Sequence, residues 1–276
     1  MSLETETVGI DRQRAGVAKP AAVSCSDLVL HFNTNSGPQQ VLDHVSIDIR
    51  PGELLCIVGP SGCGKTTILN VVAGLLVPTS GSAAVDGEPV HGFRRDIAYM
   101  TQKDTLLPWL SALRNVYLPL EAVGAGNEGL EVSRKLLALV GLQGFEDHFP
   151  HQLSGGMRKR VQLARALAQE PRVLLMDEPF GALDYQTKLL MHERFLEIWE
   201  RDRKTVLFVT HDLNEAISLA DRILLTTQRP ASVRQIFEVA IPRPRNIEAM
   251  VDDPRYRELY HQMWRMLREE YQQGEA

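Results

Sequence analysis

The spacing of apolar residues along the chain predicts strands first and helices later. Apolar and polar residues alternate over 23–32 and again over 41–49, which is typical of half-buried strands. The residues between them, 33–38, are turn formers. A continuous apolar run at 54–58 predicts a buried strand, and helix-like sequence at 68–73 follows it after a glycine-rich turn. We therefore expect antiparallel strands beside an α/β unit.

The middle of the chain, over about 104–168, has a helical pattern. Apolar residues recur at helical spacing over 132–139 and 161–167. Three glycines lie between the helices and are expected to interrupt the pattern there: Gly124, Gly126 and Gly129. This stretch is predicted to be a helical subdomain inserted into the fold.

Short β-rich runs return at 172–176 and 205–209, each followed by helix-like sequence. This alternation is typical of a parallel α/β sheet, so the predicted fold class is α/β, with an antiparallel β subdomain and the inserted helical subdomain. We expect one domain over 23–245, a polar and flexible lead-in at 1–22, and a helical extension at 246–276. The apolar stripe of that extension either packs on its own domain or contacts a partner.

The composition narrows the class of protein. Of 276 residues, 44% are hydrophobic and 24% charged, which is ordinary for a globular protein. The net charge of −5 argues against a nucleic-acid partner. Three cysteines without metal-binding spacing favour a reducing compartment, with neither disulfides nor zinc. The sequence has no apolar run of the roughly 20 residues that span a membrane, and its acidic N-terminus is unlike a signal peptide. We expect a cytosolic chain.

The turn after the buried strand matches G-x-x-x-x-G-K-[ST], the pattern of a phosphate-binding loop. Glycines let successive backbone N–H groups surround an anion, and the following helix adds its positive dipole end. Lys65, a candidate catalytic residue, is placed to reach the outer phosphates of a nucleotide, and the Thr66 hydroxyl to ligate Mg²⁺. The residues predicted to bind nucleotide here are Gly59, Pro60, Ser61, Gly62, Cys63, Gly64, Lys65, Thr66 and Thr67. The simpler alternative is a glycine turn that only joins a strand to a helix.

Two acids follow the β-rich run 172–176, namely Asp177 and Glu178. Successive strand residues point in opposite directions, so the two carboxylates can do different work. We expect Asp177 to help hold Mg²⁺ and Glu178 to act as the general base that polarises water for attack on the γ-phosphate of ATP. Taken alone, a strand ending in Asp-Glu often only meets solvent.

A second candidate anion site begins a predicted helix. Ser154 is suited to cap that helix, and this capping role is the simpler interpretation of the residue. Gly155 and Gly156 leave backbone N–H groups accessible at the positive end of the helix. Because one phosphate tail rarely needs two such sites on one chain, we expect these three residues to complete the nucleotide site of another subunit.

Six motifs together resemble those of the ATP-binding cassette (ABC) ATPases. They stand in the family's order at 59–67, Gln102, 153–157, 177–178, 182–184 and His211. The resemblance covers roughly residues 23–230. It implies a P-loop NTPase (RecA-like) core that binds and hydrolyses ATP with Mg²⁺. It also implies a head-to-tail homodimer, in which two ATP molecules lie between the phosphate loop of one subunit and Ser154-Gly155-Gly156 of the other.

The resemblance implies roles for single residues as well. Gln102 would ligate the metal ion, join Glu178 in catalysis, and report the nucleotide state to the helical subdomain. His211 would contact the γ-phosphate and hold the catalytic arrangement. Asp184 would lie at the dimer seam, and Phe32 would stack on adenine.

Some of these residues have simpler interpretations. Gln102 by itself is a surface amide. His211 precedes 212–215, which fits a capping box, and it is then a residue at the entry of a helix. Cys63 is either an oxidisable thiol, favoured by nearby N–H groups, or a small filler of the loop. We expect a long turn after Phe32.

Three residues depart from the commonest family pattern, namely Met157, Lys103 and Gly181. The nitrate, sulfonate and taurine branch of bacterial importers is what the chain resembles in four runs: 106–109, 155–158, 177–184 and 241–245. This implies the ATP-hydrolysing subunit of an importer for a small solute such as nitrate, an alkanesulfonate or taurine. Its partners would be an integral membrane permease and, through the complex, an extracytoplasmic solute-binding protein. The chain would lie peripherally on the cytoplasmic face of the cell membrane.

The apolar run 106–110 has two interpretations. It either packs inside the helical subdomain, or it offers Trp109 as an exposed anchor for a short helix of the permease.

Other functions stay open beside the importer subunit. A soluble ABC ATPase acting on nucleic acid or ribosomes would usually fuse two cassettes or insert a long coiled coil, and this sequence has neither pattern. A phosphate-loop kinase would lack Ser154-Gly155-Gly156 and would not need His211. An importer ATPase for a different solute is a further alternative.

Overall fold

The computed structural model describes residues 21–35, 37–181 and 183–273. Within them the strands are β1 (Val23–Thr34), β2 (Gly37–Ile49), β3 (Leu54–Val58), β4 (Ser80–Val85), β5 (Glu88–Pro89), β6 (Ile97–Met100), β7 (Val173–Asp177), β8 (Thr205–Thr210), β9 (Arg222–Thr226) and β10 (Val233–Glu238). The α-helices are α1 (Lys65–Val72), α2 (Ala112–Glu121), α3 (Gly126–Leu139), α4 (Gly155–Leu167), α5 (Tyr185–Asp202), α6 (Leu213–Leu219), α7 (Ile247–Met250) and α8 (Pro254–Gln273).

Four parts of the sequence-based predictions lie outside the described residues. They are positions 1–20 of the predicted lead-in, Ser36 of the predicted turn at 33–38, Ala182 of the 182–184 motif, and 274–276 of the predicted extension. The predicted domain limits at 23–245 and 246–276 stay predictions.

The central sheet carries the candidate chemistry at one edge. Its strand order, among the described residues, is β10-β9-β3-β8-β7-β6. The strands from β9 to β6 run parallel, and β10 pairs antiparallel with β9. β3, β7 and β8 are buried along their whole length, as expected of parallel strands that are covered on both faces. The predicted α/β class is confirmed.

A second sheet, with the order β2-β1-β4-β5, is antiparallel. Its inward residues, such as Leu30 and Val45, are buried in one apolar cluster with Ile57 of β3 and Ile68 of α1. Burial of such side chains stabilises the fold by about 1.5–3 kcal/mol each. The cluster therefore fixes the antiparallel sheet against the strand and helix that flank the phosphate loop.

The hairpin between β1 and β2 is tighter than we predicted. Cross-strand pairing continues from Phe32 opposite Gln39 to Thr34 opposite Gly37. Gly37 has a φ of 111°, a conformation that favours glycine and lets the chain reverse. The Thr34 hydroxyl donates a hydrogen bond of 2.7 Å to the Gly37 carbonyl oxygen. The long turn expected here is wrong, because cross-strand pairing holds Asn33 and Thr34 in β1 and Gly37 and Pro38 in β2.

Helices α2, α3 and α4 pack together within 104–168, the stretch predicted to form the helical subdomain. Gly124 lies between α2 and α3, and Gly126 is the first residue of α3, but the prediction that Gly129 interrupts the helices is wrong, since it lies inside α3. A Cβ at Gly129 would lie 2.9 Å from Cε2 of Tyr117 on α2. The glycine therefore permits a close approach of α2 and α3, which local propensity cannot indicate.

The C-terminal helix α8 packs on the rest of the domain. Tyr256, Met263 and Leu267 lie on its buried side, and the helix contacts α6. The Tyr256 hydroxyl donates a 2.7 Å hydrogen bond to Oδ1 of Asn214 on α6. Of the two interpretations of this apolar stripe, packing on its own domain is the one observed. No helix within the described ranges is both long enough and apolar enough to cross a membrane.

Candidate functional site

The turn between β3 and α1 borders a cleft of about 380 Å³. Gly62 and Gly64 have φ values of 74° and 131°, which favour glycine, and such a backbone turns its N–H groups toward a common point. Gly59 is required for another reason, because a Cβ there would collide with Oγ1 of Thr226 on β9. The local sequence therefore produces an anion-binding turn packed against its neighbouring strand.

The ammonium group of Lys65 lies back over this turn. Its Nζ donates hydrogen bonds of 2.8 Å to the carbonyl oxygens of Gly59 and Pro60. Lys65 also lines the cleft. A phosphate oxygen accepts more strongly from an ammonium than a neutral carbonyl does. The side chain is thus held ready beside the place where an anion would bind.

Thr66 and Asp177 supply oxygen ligands at the same end of the sheet. The Thr66 hydroxyl contacts both carboxylate oxygens of Asp177, at 3.1 Å from Oδ1 and 3.0 Å from Oδ2. Burial raises the pKa of Asp177, and the Thr66 hydrogen bond only partly opposes this effect. Hydroxyl and carboxylate oxygens are the ligands that Mg²⁺ prefers in proteins. The donor set therefore fits a magnesium ion.

Glu178 has a separate partner for each of its carboxylate oxygens. Nε2 of Gln102 donates a 2.9 Å hydrogen bond to Oε2, and Nδ1 of His211 lies 3.2 Å from Oε1. The backbone of Glu178 has a φ of 44°, which is uncommon for a residue other than glycine. The structure brings these three predicted residues together at the cleft.

Buried polar groups support the segment that carries His211. The Glu215 carboxylate accepts a hydrogen bond from the Thr210 hydroxyl and lies 2.9 Å from Nε2 of His192. The expected capping box is only half formed. Asp212 caps α6, but its own N–H donates to the Thr210 hydroxyl oxygen, because Glu215 is engaged elsewhere. His211 is therefore both a residue at the entry of α6 and part of the cleft.

Helix α4 binds the backbone that follows Gln102. Nζ of Lys159 donates a 2.6 Å hydrogen bond to the Gln102 carbonyl oxygen, and burial lowers the pKa of Lys159. Arg165 donates to the hydroxyl and carbonyl oxygens of Thr105, at 2.6 and 2.9 Å. We did not predict Lys159 or Arg165. The available signal was their basic side chains within a helix of otherwise apolar spacing.

The remaining predicted residues do not line this cleft. Ser154 and Asp184 are exposed helix caps, and Ser154 Oγ accepts from the Met157 N–H at 3.2 Å, as its capping role predicts. Gly156 lies beside the first turn of α5, since a Cβ there would be 2.7 Å from Cγ2 of Thr187. The N–H of Thr187 also donates a hydrogen bond of 3.0 Å to Oδ1 of Asp184, which caps α5. Gly156 and Asp184 thus both lie against Thr187 at the start of α5.

Three further residues are Phe32, Cys63 and Arg229. Phe32 is 39% exposed on β1 and stays a predicted adenine contact. Cys63 is buried, with Sγ 3.2 Å from Thr226 Oγ1, and so it fills space between the turn and β9. Arg229 also lines the cleft, although we did not predict it. The local sequence carries no signal for Arg229, because its place at the cleft depends on β9 lying next to β3 in the sheet.

Parallel α/β sheets bind nucleotides at the carboxyl ends of their strands, and a glycine-rich turn leading into a helix receives the phosphates. This fold and this cleft define a P-loop nucleoside triphosphatase.

Comparison with known proteins specifies the family. The ABC transporter family model matches residues 42–181. The chain is 44% identical over 232 residues to the nitrate import ATP-binding protein NrtD of Synechococcus elongatus, covering 83% of this chain and 85% of that protein. It is likewise 44% identical over 232 residues to the bicarbonate transport ATP-binding protein CmpD of Synechocystis sp., covering 83% and 82%.

A solved structure agrees with the sequence relatives. The dimeric post-hydrolysis structure of the ATP-binding cassette MJ0796, bound to ADP and Pi, superposes with a TM-score of 0.72 at 32% identity. The match covers 80% of this chain and all of that one. The chain therefore belongs to the ABC transporter family of ATP-binding proteins. It is an ATP-hydrolysing cassette that uses ATP with Mg²⁺.

Proposed function

We propose that this chain is the ATP-hydrolysing subunit of an importer for a small anion. The observation that carries the proposal is the pair of relatives at 44% identity, one named for nitrate import and one for bicarbonate transport. Both solutes are small oxyanions, and they agree with the branch that the sequence resembles. Nitrate, an alkanesulfonate and taurine are the solutes we expect, and bicarbonate joins them as a candidate.

Hydrolysis is assigned to the cluster at the cleft. Lys65 would bind the outer phosphates of ATP, and Thr66 and Asp177 would hold the magnesium ion. Bound Mg²⁺ neutralises charge on the phosphate oxygens. Gln102 donates its amide N–H to Glu178, which leaves its amide oxygen available as a further ligand to the metal ion.

Glu178 would accept a proton from the attacking water, as a positioned general base does. Its two oxygens are oriented by Gln102 and His211. His211 would contact the γ-phosphate through its other ring nitrogen, Nε2, while Nδ1 stays beside Glu178, and so it would hold the base and the phosphate together.

A second copy of the chain would complete the nucleotide site. Gly156 and Asp184 lie side by side against Thr187, outside the lining of the cleft, and Ser154 caps α4, whose first N–H groups suit an anion. The solved relative MJ0796 is described as dimeric. We propose a head-to-tail homodimer in which residues 154–156 cover the ATP bound to the partner's phosphate loop.

The permease would dock near the helical subdomain. Trp109 is 69% exposed, which favours its interpretation as an anchor over internal packing. An apolar groove of about 480 Å³ lies between Phe93, Pro119 and Val123, where α2 ends. Large apolar side chains exposed together mark interaction surfaces. The chain would thus bind the permease from the cytoplasmic face, and a solute-binding protein would act from the opposite side of the membrane.

The test is isolation of the chain with its permease from the native membrane, followed by ATPase assays in vesicles with nitrate, bicarbonate, taurine and an alkanesulfonate. We expect copurification and stimulation by one of these anions. ATPase activity that responds to nucleic acid or ribosomes, with no copurifying permease, would support the soluble alternative.

A further inference from the structure

Arg229 brings an unpaired cation to the nucleotide cleft. The residue follows β9, the strand next to β3 in the sheet, so its loop and the phosphate loop leave the same edge. Its side chain is exposed and lines the cleft with Lys65 and His211. Within the described ranges, its guanidinium has no hydrogen bond or ion pair to the protein.

The loop that carries this cation is fixed at its base. The Thr227 N–H donates to the Ser232 carbonyl oxygen at 3.1 Å, and the Ser232 N–H donates to Oγ1 of Thr227 at 2.9 Å. The loop is also joined to the antiparallel sheet. The Ala231 N–H donates to the Val41 carbonyl oxygen, and the Asp43 N–H donates to the Ala231 carbonyl oxygen, both at 2.9 Å.

The C-terminal helix holds the loop from a third side. Glu270 of α8 is only 2% exposed. Its Oε2 accepts a 3.0 Å hydrogen bond from the Gln228 N–H, and its Oε1 lies 2.7 Å from the Arg234 guanidinium. A buried carboxylate is tolerated only when it is paired in this way. One oxygen of Glu270 therefore fixes the residue that precedes Arg229, and the other pairs with Arg234 of β10.

Arg229 adds a second side-chain cation to the cleft. Among the residues that line it, Lys65 and Arg229 are the cations and Glu178 is the anion. Arg229 would therefore supply positive charge for a polyanion beside that of Lys65 and of bound Mg²⁺. A guanidinium also presents a planar set of donors that suits two oxygens of one phosphate group.

We propose that Arg229 binds the phosphates of ATP and that Glu270, on the C-terminal helix, positions Arg229 by fixing its loop. This inference rests on the proposed nucleotide site and adds a binding residue to it. It also connects α8 to nucleotide binding, because the Gln228 contact transmits any displacement of the helix to the loop.

The first test measures the Kd of the full-length protein for ATP, ADP and AMP in the presence of Mg²⁺. We expect Arg229→Gln to raise the Kd for ATP about ten-fold, since a charge-assisted contact to phosphate is lost. The fold-increase in Kd caused by Arg229→Gln should decrease from ATP to ADP to AMP. It should also be smaller at high ionic strength. Arg229→Lys should recover part of the affinity. The matched control is Arg265→Gln, which removes an exposed arginine of α8 that does not line the cleft.

An ATP Kd for Arg229→Gln within two-fold of wild type overturns the inference, as does an equal loss for ATP and AMP. An equal loss for ATP and AMP would mean that the loop maintains the shape of the site and that Arg229 does not contact the outer phosphates. A wild-type protein that binds no ATP would instead overturn the proposed function, so the two failures are distinguishable.

The second test is a double-mutant cycle between Arg229 and Glu270. We expect Glu270→Ala to raise the ATP Kd about three-fold, and Arg229→Gln with Glu270→Ala to bind no more weakly than Arg229→Gln alone. Glu270→Gln keeps an acceptor for the Gln228 N–H and should have a smaller effect. It also replaces the alanine variant if that variant does not fold. Additive losses would show that Glu270 does not act through Arg229.

Discussion

Nε2 of Gln102 donates a hydrogen bond of 2.9 Å to Oε2 of Glu178, across 76 positions of sequence. The other oxygen of Glu178 lies 3.2 Å from Nδ1 of His211. One carboxylate is thus held between an amide from the start of the helical subdomain and an imidazole that follows β8. The position of the helical subdomain and the orientation of the proposed base are therefore coupled directly.

Removing either partner of Glu178 should slow hydrolysis more than it weakens binding. We expect Gln102→Ala and His211→Ala each to lower kcat about ten- to hundred-fold, since a misoriented general base loses a contribution of about 10²–10⁴. The ATP Kd should change only a few-fold. Because both residues act on one carboxylate, the double variant should lose less than the product of the two single effects. Fully multiplicative losses would contradict a shared role.

The buried carboxylate of Asp177 should lower the stability of the nucleotide-free protein. Its pKa is raised by burial, so the folded state binds the proton more tightly than the unfolded state, whose Asp pKa is about 3.9. The protonated carboxyl group of Asp177 therefore stabilises the folded state at low pH, and this stabilisation is lost as the pH rises through the raised pKa.

Asp177→Asn should consequently raise the Tm of the nucleotide-free protein at pH 7.5 by about 2–4 °C. The same change should abolish the additional stabilisation by ATP with Mg²⁺, which wild type should show. Thermal denaturation of both proteins between pH 4 and 8 measures this difference. A variant less stable than wild type at pH 7.5 would contradict the assigned cost of burying this carboxylate.

The contacts from α4 should keep the Gln102 segment ordered. Lys159→Met removes the donor to the Gln102 carbonyl oxygen and also relieves the burial of an ammonium, so we expect little change in Tm. Amide hydrogen exchange over 101–105 should nevertheless become faster, and kcat should fall about ten-fold. Arg160→Met is the matched control, since that arginine contacts the Gly141 carbonyl oxygen instead. Unchanged exchange in Lys159→Met would contradict the role of α4.

Trp109 should contribute to permease coupling without affecting the isolated chain. Truncation of an aromatic anchor at an interface costs about 2 kcal/mol or more, so Trp109→Ala should markedly reduce solute-stimulated ATPase activity in the complex. ATP binding by the isolated chain should stay at the wild-type level. Trp264→Ala is a suitable control, because Trp264 is also exposed, at 49%, but lies on α8. Normal solute stimulation with Trp109→Ala would refute the anchor.

Some site residues could be predicted from local sequence alone. They are those that lie at the end of one strand or in the turn that follows it. Lys65 and Thr66 follow β3, and Asp177 ends β7, so a pattern of a few residues specifies each. Their contact of 3.0 Å between Thr66 and Asp177 then follows from strands whose carboxyl ends meet at one edge of the sheet.

Other features depend on contacts between distant elements and could not be predicted. Arg229 reaches the cleft because β9 lies next to β3, and nothing in the turn near Arg229 specifies that order. Gly129 was misread as a helix breaker, since only the approach of Tyr117 explains why a glycine is needed there. Lys159 owes its role to the path of a loop 57 positions away.

Glu178→Gln in ATP and Mg²⁺ should separate binding and dimer closure from hydrolysis. We expect ATP hydrolysis by this variant to fall by at least about 10²-fold. We also expect an ATP-dependent shift from monomer to dimer in light scattering, because the closed dimer cannot hydrolyse its ATP and reopen. Adding Ser154→Arg to this variant should abolish the dimer, because the arginine would prevent residues 154–156 from covering the ATP bound by the partner subunit. If Glu178→Gln hydrolysed ATP at the wild-type rate, Glu178 would not be the general base. If the mass of the variant in solution did not change with ATP, the two-subunit nucleotide site would be wrong.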